Sequence, residues 1–132
     1  MKIMLDTNMC IYIIKQHPST VVDRLVALPS EDVGISVITV AELRFGASKS
    51  ARPEQNHAAL NAFLSPFQVA LFDQPATKTY GTIRTSLEKK GRPIGPLDML
   101  IAAHAVSLEA RLVTNNEKEF RRVPGLEVEN WL

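Results

Sequence analysis

The sequence predicts an α/β fold built on a mostly parallel sheet. Short runs of apolar and β-branched residues recur along the chain, amphipathic segments long enough for helices separate them, and Pro or Gly marks many of the boundaries. Strands that alternate with helices are typical of βαβ units, in which helices cover a parallel sheet. The length of 132 residues predicts one domain, residues 1–132, that can bury a core without disulfides or zinc.

Five short apolar segments favour strands, and one of them, Val33–Val37, is rich in β-branched residues. The predicted strands are Lys2–Leu5, Val33–Val37, Phe67–Phe72, Arg111–Thr114 and Leu126–Val128. The segments between them carry apolar residues at helical spacing. The predicted helices run from the Asp6–Asn8 segment to Ile14, over 21–28, 39–48, 53–65, 75 to about 91 and 97–108, with a last helical turn that ends at Phe120.

Composition limits the functional classes. The chain is 45% hydrophobic and 22% charged, which is ordinary for a globular protein, so disorder is not expected. No apolar run approaches the ~20 residues of a membrane helix, and the N-terminus does not resemble a signal peptide, because Asp6 and Asn8 interrupt its apolar stretch. We therefore expect a soluble, cytoplasmic protein without a membrane partner. The one cysteine, Cys10, lies in an apolar run and predicts a buried, inert thiol.

The charge pattern gives weak evidence about nucleic acid. The formal net charge is only +1, whereas a nucleic-acid-binding domain is usually clearly basic. Two loose clusters of cations are compatible with either a solvated face or a phosphate-binding rim. They comprise Arg84, Lys89, Lys90 and Arg92, and Arg44, Lys49 and Arg52.

Three acids lie near predicted helix starts. Asp6 follows the first strand and is compatible with a helix cap. Glu42 lies three residues after Thr39, which matches a capping box in the first helical turn. Asp98 follows Pro96 and is favoured in the first turn by the helix dipole.

A shared site is the alternative to three separate helix-start roles. Parallel sheets place ligand sites beyond the carboxyl ends of their strands, which makes Asp6, the Ser36–Glu42 stretch and the Thr114–Glu119 loop candidates for one site. Carboxylates that meet repel one another unless a cation lies between them. Oxygen ligands without clustered Cys or His suit Mg²⁺ or Mn²⁺, and such a metal supports phosphodiester hydrolysis.

Four segments, in chain order, resemble the motifs of PIN-domain nucleases. They are Met4–Asn8, Ile35–Gly46, Gly95–Ala105 and Val113–Phe120. Together they extend over almost the whole chain. The sequence is most similar to the VapC toxins of bacterial toxin–antitoxin pairs, in particular the enteric type that cuts initiator tRNA in the anticodon stem-loop.

The resemblance implies a three-layer PIN-like fold, with helices on both sides of the sheet, and the toxin component of a type II pair. It also implies a Mg²⁺-dependent endoribonuclease, with Mn²⁺ as a possible substitute, in which Asp6, Glu42 and Asp98 hold the metal. The implied partners are tRNA, a VapB-like antitoxin that blocks the active-site groove, and a second copy in a homodimer that forms a hetero-oligomer with the antitoxin. Candidate contact residues are the apolar Ile11, Ile14 and Leu60, although core burial explains these three equally well.

One position departs from the PIN pattern. Asn116 replaces an aspartate that many PIN domains carry, and Glu119 is either the fourth carboxylate or an exposed acid on a helix face. The number of metal ions therefore stays open. One alternative is a catalytically weakened PIN-like module that binds RNA or protein. A phosphoacceptor signalling domain is disfavoured, because no acid pair follows the first strand.

Three further polar residues are each compatible with two structural roles. Thr7 and Ser36 are candidates either to hydrogen-bond the acids or only to cap helices. His104 has no second histidine nearby, so we expect a packed side chain rather than a metal ligand.

Overall fold

A five-stranded parallel sheet forms the centre of the protein. The computed structural model describes residues 1–132. The strands are β1 (Ile3–Leu5), β2 (Val33–Ser36), β3 (Gln68–Ala70), β4 (Arg111–Val113) and β5 (Val128–Glu129). They are arranged in the order β3-β2-β1-β4-β5, and every pairing is parallel. The predicted fold class is confirmed, and the strand ends differ from the predicted ones by only one or two residues.

Seven α-helices and one 3₁₀ turn, Ser30–Asp32, surround the sheet. The helices are α1 (Thr7–Lys15), α2 (Ser19–Val26), α3 (Val37–Ser48), α4 (Pro53–Leu64), α5 (Gln74–Lys89), α6 (Pro96–Ser107) and α7 (Glu117–Phe120). None of them combines the length and the apolar character that crossing a membrane requires.

The central strand β1 is the point at which the strand order changes direction. The chain first adds β2 and β3 on one side of β1, and later adds β4 and β5 on the other. Leu5 at the end of β1 is in register with Ile35 of β2 and Val113 of β4. The carboxyl ends of these three strands therefore form one edge, the usual place of a ligand site in such a sheet.

Each face of the sheet has its own apolar core. Leu5 of β1 packs in one core, and the adjacent Met4 packs in the other, because successive side chains of a strand point to opposite faces. The first core contains residues of α1 to α4, and the second contains residues of α5 to α7. Two helical layers thus cover the sheet. The buried position of Cys10 in the first core confirms the expected packing of that thiol.

The apolar contact residues expected on the first helices are only partly exposed. Leu60 is 3% exposed and belongs to the first core, so core burial, one of the two alternatives that the sequence leaves open, accounts for this residue. Its position on the inner face of α4 explains its burial. Ile11 and Ile14 are partly buried against the same core.

Helix α3 begins two residues earlier than the sequence predicts. The Ser36 hydroxyl accepts a hydrogen bond from the Ile38 N–H at 3.1 Å and caps the helix. Strand β2 therefore runs directly into α3 without a loop. Thr39 lies inside the helix, and Glu42 is its sixth residue rather than a first-turn acid. The predicted capping box between Thr39 and Glu42 is wrong.

Leu112 tests the contribution of the second core to stability. It is fully buried in β4, whereas Leu71 is 74% exposed. We expect Leu112→Ala to lower the free energy of unfolding by about 2–5 kcal/mol, because it leaves a cavity. The same change at Leu71 is the matched control and should cost about 0.5 kcal/mol or less. Urea unfolding followed by circular dichroism measures both, and equal losses would contradict this description of the core.

Candidate active site

A small polar cavity of about 200 Å³ lies at the edge formed by the carboxyl ends of the central strands. Acidic and amide side chains dominate its wall. The lining residues are Asp6, Thr7, Asn8, Glu42, Asp98, Asn116 and Phe120. Four of the five predicted site residues, which come from four separate segments of the chain, therefore share one cavity.

Volume alone does not distinguish this site. A wider hollow of about 550 Å³ lies beside Trp131. Its acids Asp23 and Glu129 are accompanied by Arg24 and Arg111, and Arg24 forms a salt bridge with Glu129 at 3.3 Å. The charges there balance, whereas the small cavity contains acids without cations.

Asp6 joins the end of β1 to the start of α1. Its Oδ1 accepts a hydrogen bond from the Met9 N–H at 2.8 Å, which caps the helix. Its Oδ2 accepts a hydrogen bond from the Thr114 hydroxyl at the end of β4. Burial raises the pKa of Asp6, the two hydrogen bonds lower it, and the charge of Glu42 raises it. The capping role and the place in the cavity, which the sequence presents as alternatives, are both present.

Glu42 reaches the cavity from α3. Its Oε1 accepts a hydrogen bond of 2.7 Å from the Thr7 hydroxyl at the start of α1. That hydroxyl also lies 3.3 Å from the hydroxyl of the buried Thr39. Thr7 therefore hydrogen-bonds one of the acids, whereas Ser36 hydrogen-bonds none of them and instead caps α3 and contacts His104.

Asp98 is the third residue of α6, directly after the Gly95-Pro96 turn. Its pKa is raised to about 6, first by burial and then by the negative charges of Glu42, Asp6 and Glu119. Unlike the carboxylates of those three residues, that of Asp98 accepts no hydrogen bond. The position of Asp98 thus depends on the placement of its helix.

Asn116 and Glu119 form a pair beside the cavity. The Asn116 amide donates to Glu119 Oε2 at 3.0 Å, and the Asn116 N–H donates to the Thr114 hydroxyl at 2.9 Å. Glu119 is half-buried and does not line the cavity itself, but its charge raises the pKa of Asp98. The structure therefore places Glu119 close to the three other acids rather than on an isolated helix face.

The sequence places Thr114 in the candidate loop Thr114–Glu119 but indicates no role of its own for it, although it is the residue that links Asp6 to Asn116. Thr114 directly follows β4, just as Asp6 directly follows β1. Because ligand sites in parallel sheets lie beyond strand ends, the position of Thr114 was the available signal.

No positive side chain neutralises these acids. The salt bridges of the protein involve other residues on its surface, and none includes Asp6, Glu42, Asp98 or Glu119. Clustered carboxylate oxygens without Cys or His suit a hard divalent cation such as Mg²⁺ or Mn²⁺. The donor set therefore fits such a metal. In this structure no three acids are arranged as a complete metal-binding group, so the acids share the cavity without closing around one point.

Some residues of the two predicted basic clusters form hydrogen bonds with other side chains of the protein. Arg44 donates to the Asn61 side chain, and Arg84 donates to Tyr80 and Glu88 at 2.6 and 3.0 Å. The exposed Lys89, Lys90 and Arg92 form no salt bridge. They lie at the end of α5 and in the loop that leads to α6.

A family profile and the sequences of known proteins all indicate the same family. The PIN domain profile matches residues 3–126. Ribonuclease VapC2 of Rickettsia felis is 48% identical over 129 residues, which cover 97% of this chain and 96% of that protein. The tRNA(fMet)-specific endonuclease VapC of Shigella flexneri is 45% identical over 131 residues, which cover 99% of this chain and 98% of that protein.

Solved structures agree with the sequence relatives. The matching chain in the crystal structure of VapBC2 from Rickettsia felis bound to a promoter DNA fragment superposes with a TM-score of 0.94 and 46% identity over 100% of both chains. The resemblance on the four motifs is therefore confirmed, and so are the fold and the nuclease class. The chain belongs to the VapC ribonucleases of the PIN domain family.

Proposed function

We propose that this protein is the toxin of a VapBC-type pair and acts as a Mg²⁺-dependent endoribonuclease on initiator tRNA, within the anticodon stem-loop. The observation that carries the proposal is the group of acids from distant segments around one cavity, with no cation to balance them. The name of the Shigella flexneri relative, a tRNA(fMet)-specific endonuclease, supports the choice of RNA. A tRNA substrate in turn supports action in the cytoplasm.

Asp6, Glu42 and Asp98 are the residues that would hold the metal. When bound, Mg²⁺ supplies positive charge to the phosphate and acidifies a water molecule. Asp6 and Glu42 are held in place by the hydroxyls of Thr114 and Thr7, whereas Asp98 is free to turn toward a cation. Small movements of the Asp98 side chain are therefore expected to complete the ligand set.

We assign to Glu119 the role of general base for the attacking water. The Asn116 amide holds its Oε2, which leaves Oε1 to accept a proton from an attacking water. In this arrangement Asn116 orients a neighbouring carboxylate without adding a charge. An asparagine at this position is thus compatible with catalysis, and it does not favour the catalytically weakened module.

The proposed protein partner is a VapB-like antitoxin. The solved relatives include VapBC complexes. An apolar hollow of about 310 Å³ between α1, α3 and α4 is lined by Ile11, Ile14 and Leu60 and reaches Glu42, which also lines the acidic cavity. An antitoxin segment in this hollow would therefore cover the active site. A toxin homodimer, assembled with the antitoxin into a hetero-oligomer, completes the proposal.

Asp98→Asn tests the proposed activity. With purified initiator tRNA and Mg²⁺, wild-type protein should produce cleavage in the anticodon stem-loop, which mapping of the new 5′ and 3′ ends locates. The variant keeps the shape of the side chain but loses its charge, so we expect its rate to fall by about 100-fold or more. Glu54→Gln, at an exposed acid outside the cavity, is the control and should leave the rate unchanged. Cleavage by Asp98→Asn at the wild-type rate would reject the assignment.

The same variant should be more stable than wild type when metal is removed. Because the folded-state pKa of Asp98, about 6, exceeds its ordinary value of 3.8, the folded state binds the proton more tightly. The carboxyl group therefore favours folding most below about pH 4, and this stabilisation is lost as the pH rises toward 6. A shift of this size corresponds to about 3 kcal/mol without solvent screening, and we expect about 1–2 kcal/mol for a partly exposed group.

Urea unfolding in EDTA measures this difference. Asp98→Asn should exceed wild type in free energy of unfolding at pH 7.5, and the difference should disappear near pH 4. Addition of Mg²⁺ should stabilise wild type more than the variant, since a ligand stabilises the folded state that binds it. A variant that is less stable than wild type in EDTA at pH 7.5 would show that burial and the neighbouring carboxylates do not disfavour the charged form of Asp98.

A further inference from the structure

His104 is a buried polar side chain outside the acidic cavity. It lies on α6, it is 1% exposed, and its Nδ1 is 2.8 Å from the hydroxyl oxygen of Ser36. Burial lowers the pKa of the imidazole, which favours the neutral ring. Ser36 is the last residue of β2 and the cap of α3, so the contact joins α6 to the start of the helix that carries Glu42.

The hydrogen-bond pattern indicates how this contact is made. The Ser36 oxygen already accepts the Ile38 N–H at 3.1 Å, and its own hydrogen is free to donate to Nδ1. The ring hydrogen then lies on Nε2, which is buried and makes no hydrogen bond of good geometry, although an interaction with the Leu71 backbone partly offsets the lowering of the pKa by burial. Phe72 packs edge-on against the ring, with 5.2 Å between the centroids. The imidazole is therefore held by one directional bond and by apolar packing.

This contact is the one side-chain hydrogen bond between α6 and the β2–α3 segment. The other acids have polar anchors of their own, since Thr114 donates to Asp6 and Thr7 donates to Glu42. Asp98 has no such anchor. Its location therefore depends on how α6 lies against its neighbours.

Apolar packing holds α6 in the second core, where Met99 and Ile101 are buried beside the fully buried Ala102, Ala103 and Ala105. Hydrophobic burial of this kind is not directional. A buried, directional hydrogen bond selects one arrangement among several of similar packing.

We propose that His104 is a positioning residue for Asp98, because its bond to Ser36 fixes α6 on the start of α3 and thereby sets Asp98 opposite Glu42. Asp98 and His104 are six residues apart in one helix, about 9 Å along its axis, so a displacement at His104 reaches Asp98. The inference rests on the proposed function, because the acids that it aligns are those proposed to hold the metal.

Two amide substitutions separate positioning from simple packing. The amide of His104→Asn replaces the ring at Nδ1 and can keep the bond to Ser36, whereas the amide of His104→Gln replaces it at Nε2 and cannot. For each variant we would measure kcat and KM with tRNA, the dissociation constant for Mn²⁺ by titration calorimetry, and the melting temperature. Ser36→Ala removes the same hydrogen bond from the other side, and it replaces His104→Gln in the test if that variant does not fold.

His104→Asn should resemble wild type in kcat and Mn²⁺ affinity. His104→Gln and Ser36→Ala should each lose about 10–100-fold in kcat and in Mn²⁺ affinity, as is typical when a group that supports a metal ligand is lost. The KM for tRNA should stay unchanged. Equal values for the two amide variants, or losses that follow the melting temperature alone, would overturn the positioning role. If wild-type protein cut no tRNA, the proposed function would fail, while the Mn²⁺ affinities would still decide the role of His104.

Discussion

Repulsion among clustered acids is the constraint on which the site depends. Asp6, Glu42 and Asp98 line one cavity, Glu119 adds its charge from beside them, and no Lys or Arg pairs with any of the four. Such an arrangement costs stability in the absence of a cation. A protein that keeps it has a site whose energy falls when a divalent metal binds. Burial first, and then the charges of the neighbouring acids, raise the pKa of Asp98.

The fold brings these acids together by its strand order. Asp6 directly follows β1 at the edge where β1 lies between β2 and β4, whereas Glu42 reaches that edge from α3 and Asp98 reaches it from α6. Threonine hydroxyls then hold two of the carboxylates, Thr114 at Asp6 and Thr7 at Glu42. The acidic site is thus supported by neutral donors, which hold the carboxylates without neutralising them and leave their charge for a metal.

Much of this arrangement can be predicted from the sequence, because it depends on local patterns. The alternation of strands and helices predicts the parallel sheet, and the strand-end rule together with the four motifs predicts that Asp6, Glu42, Asp98 and Asn116 meet. Contacts between distant side chains are different. The Thr114–Asp6 and Ser36–His104 bonds join residues 108 and 68 positions apart, and no local pattern indicates which hydroxyl reaches which partner. The predicted start of α3 was wrong because Ser36 competes with Thr39 as a cap. The burial of Leu60 stayed open because an apolar side chain is equally suited to a core or an interface.

Diffraction from crystals grown with Mn²⁺ tests the central claim most directly, because anomalous scattering locates the ion independently of any assay. We expect a peak inside the acidic cavity, within ligand distance of Asp6, Glu42 and Asp98, together with a turn of the Asp98 side chain toward the ion. A cavity without Mn²⁺ at millimolar concentration, or an ion bound only elsewhere on the protein, would contradict the account.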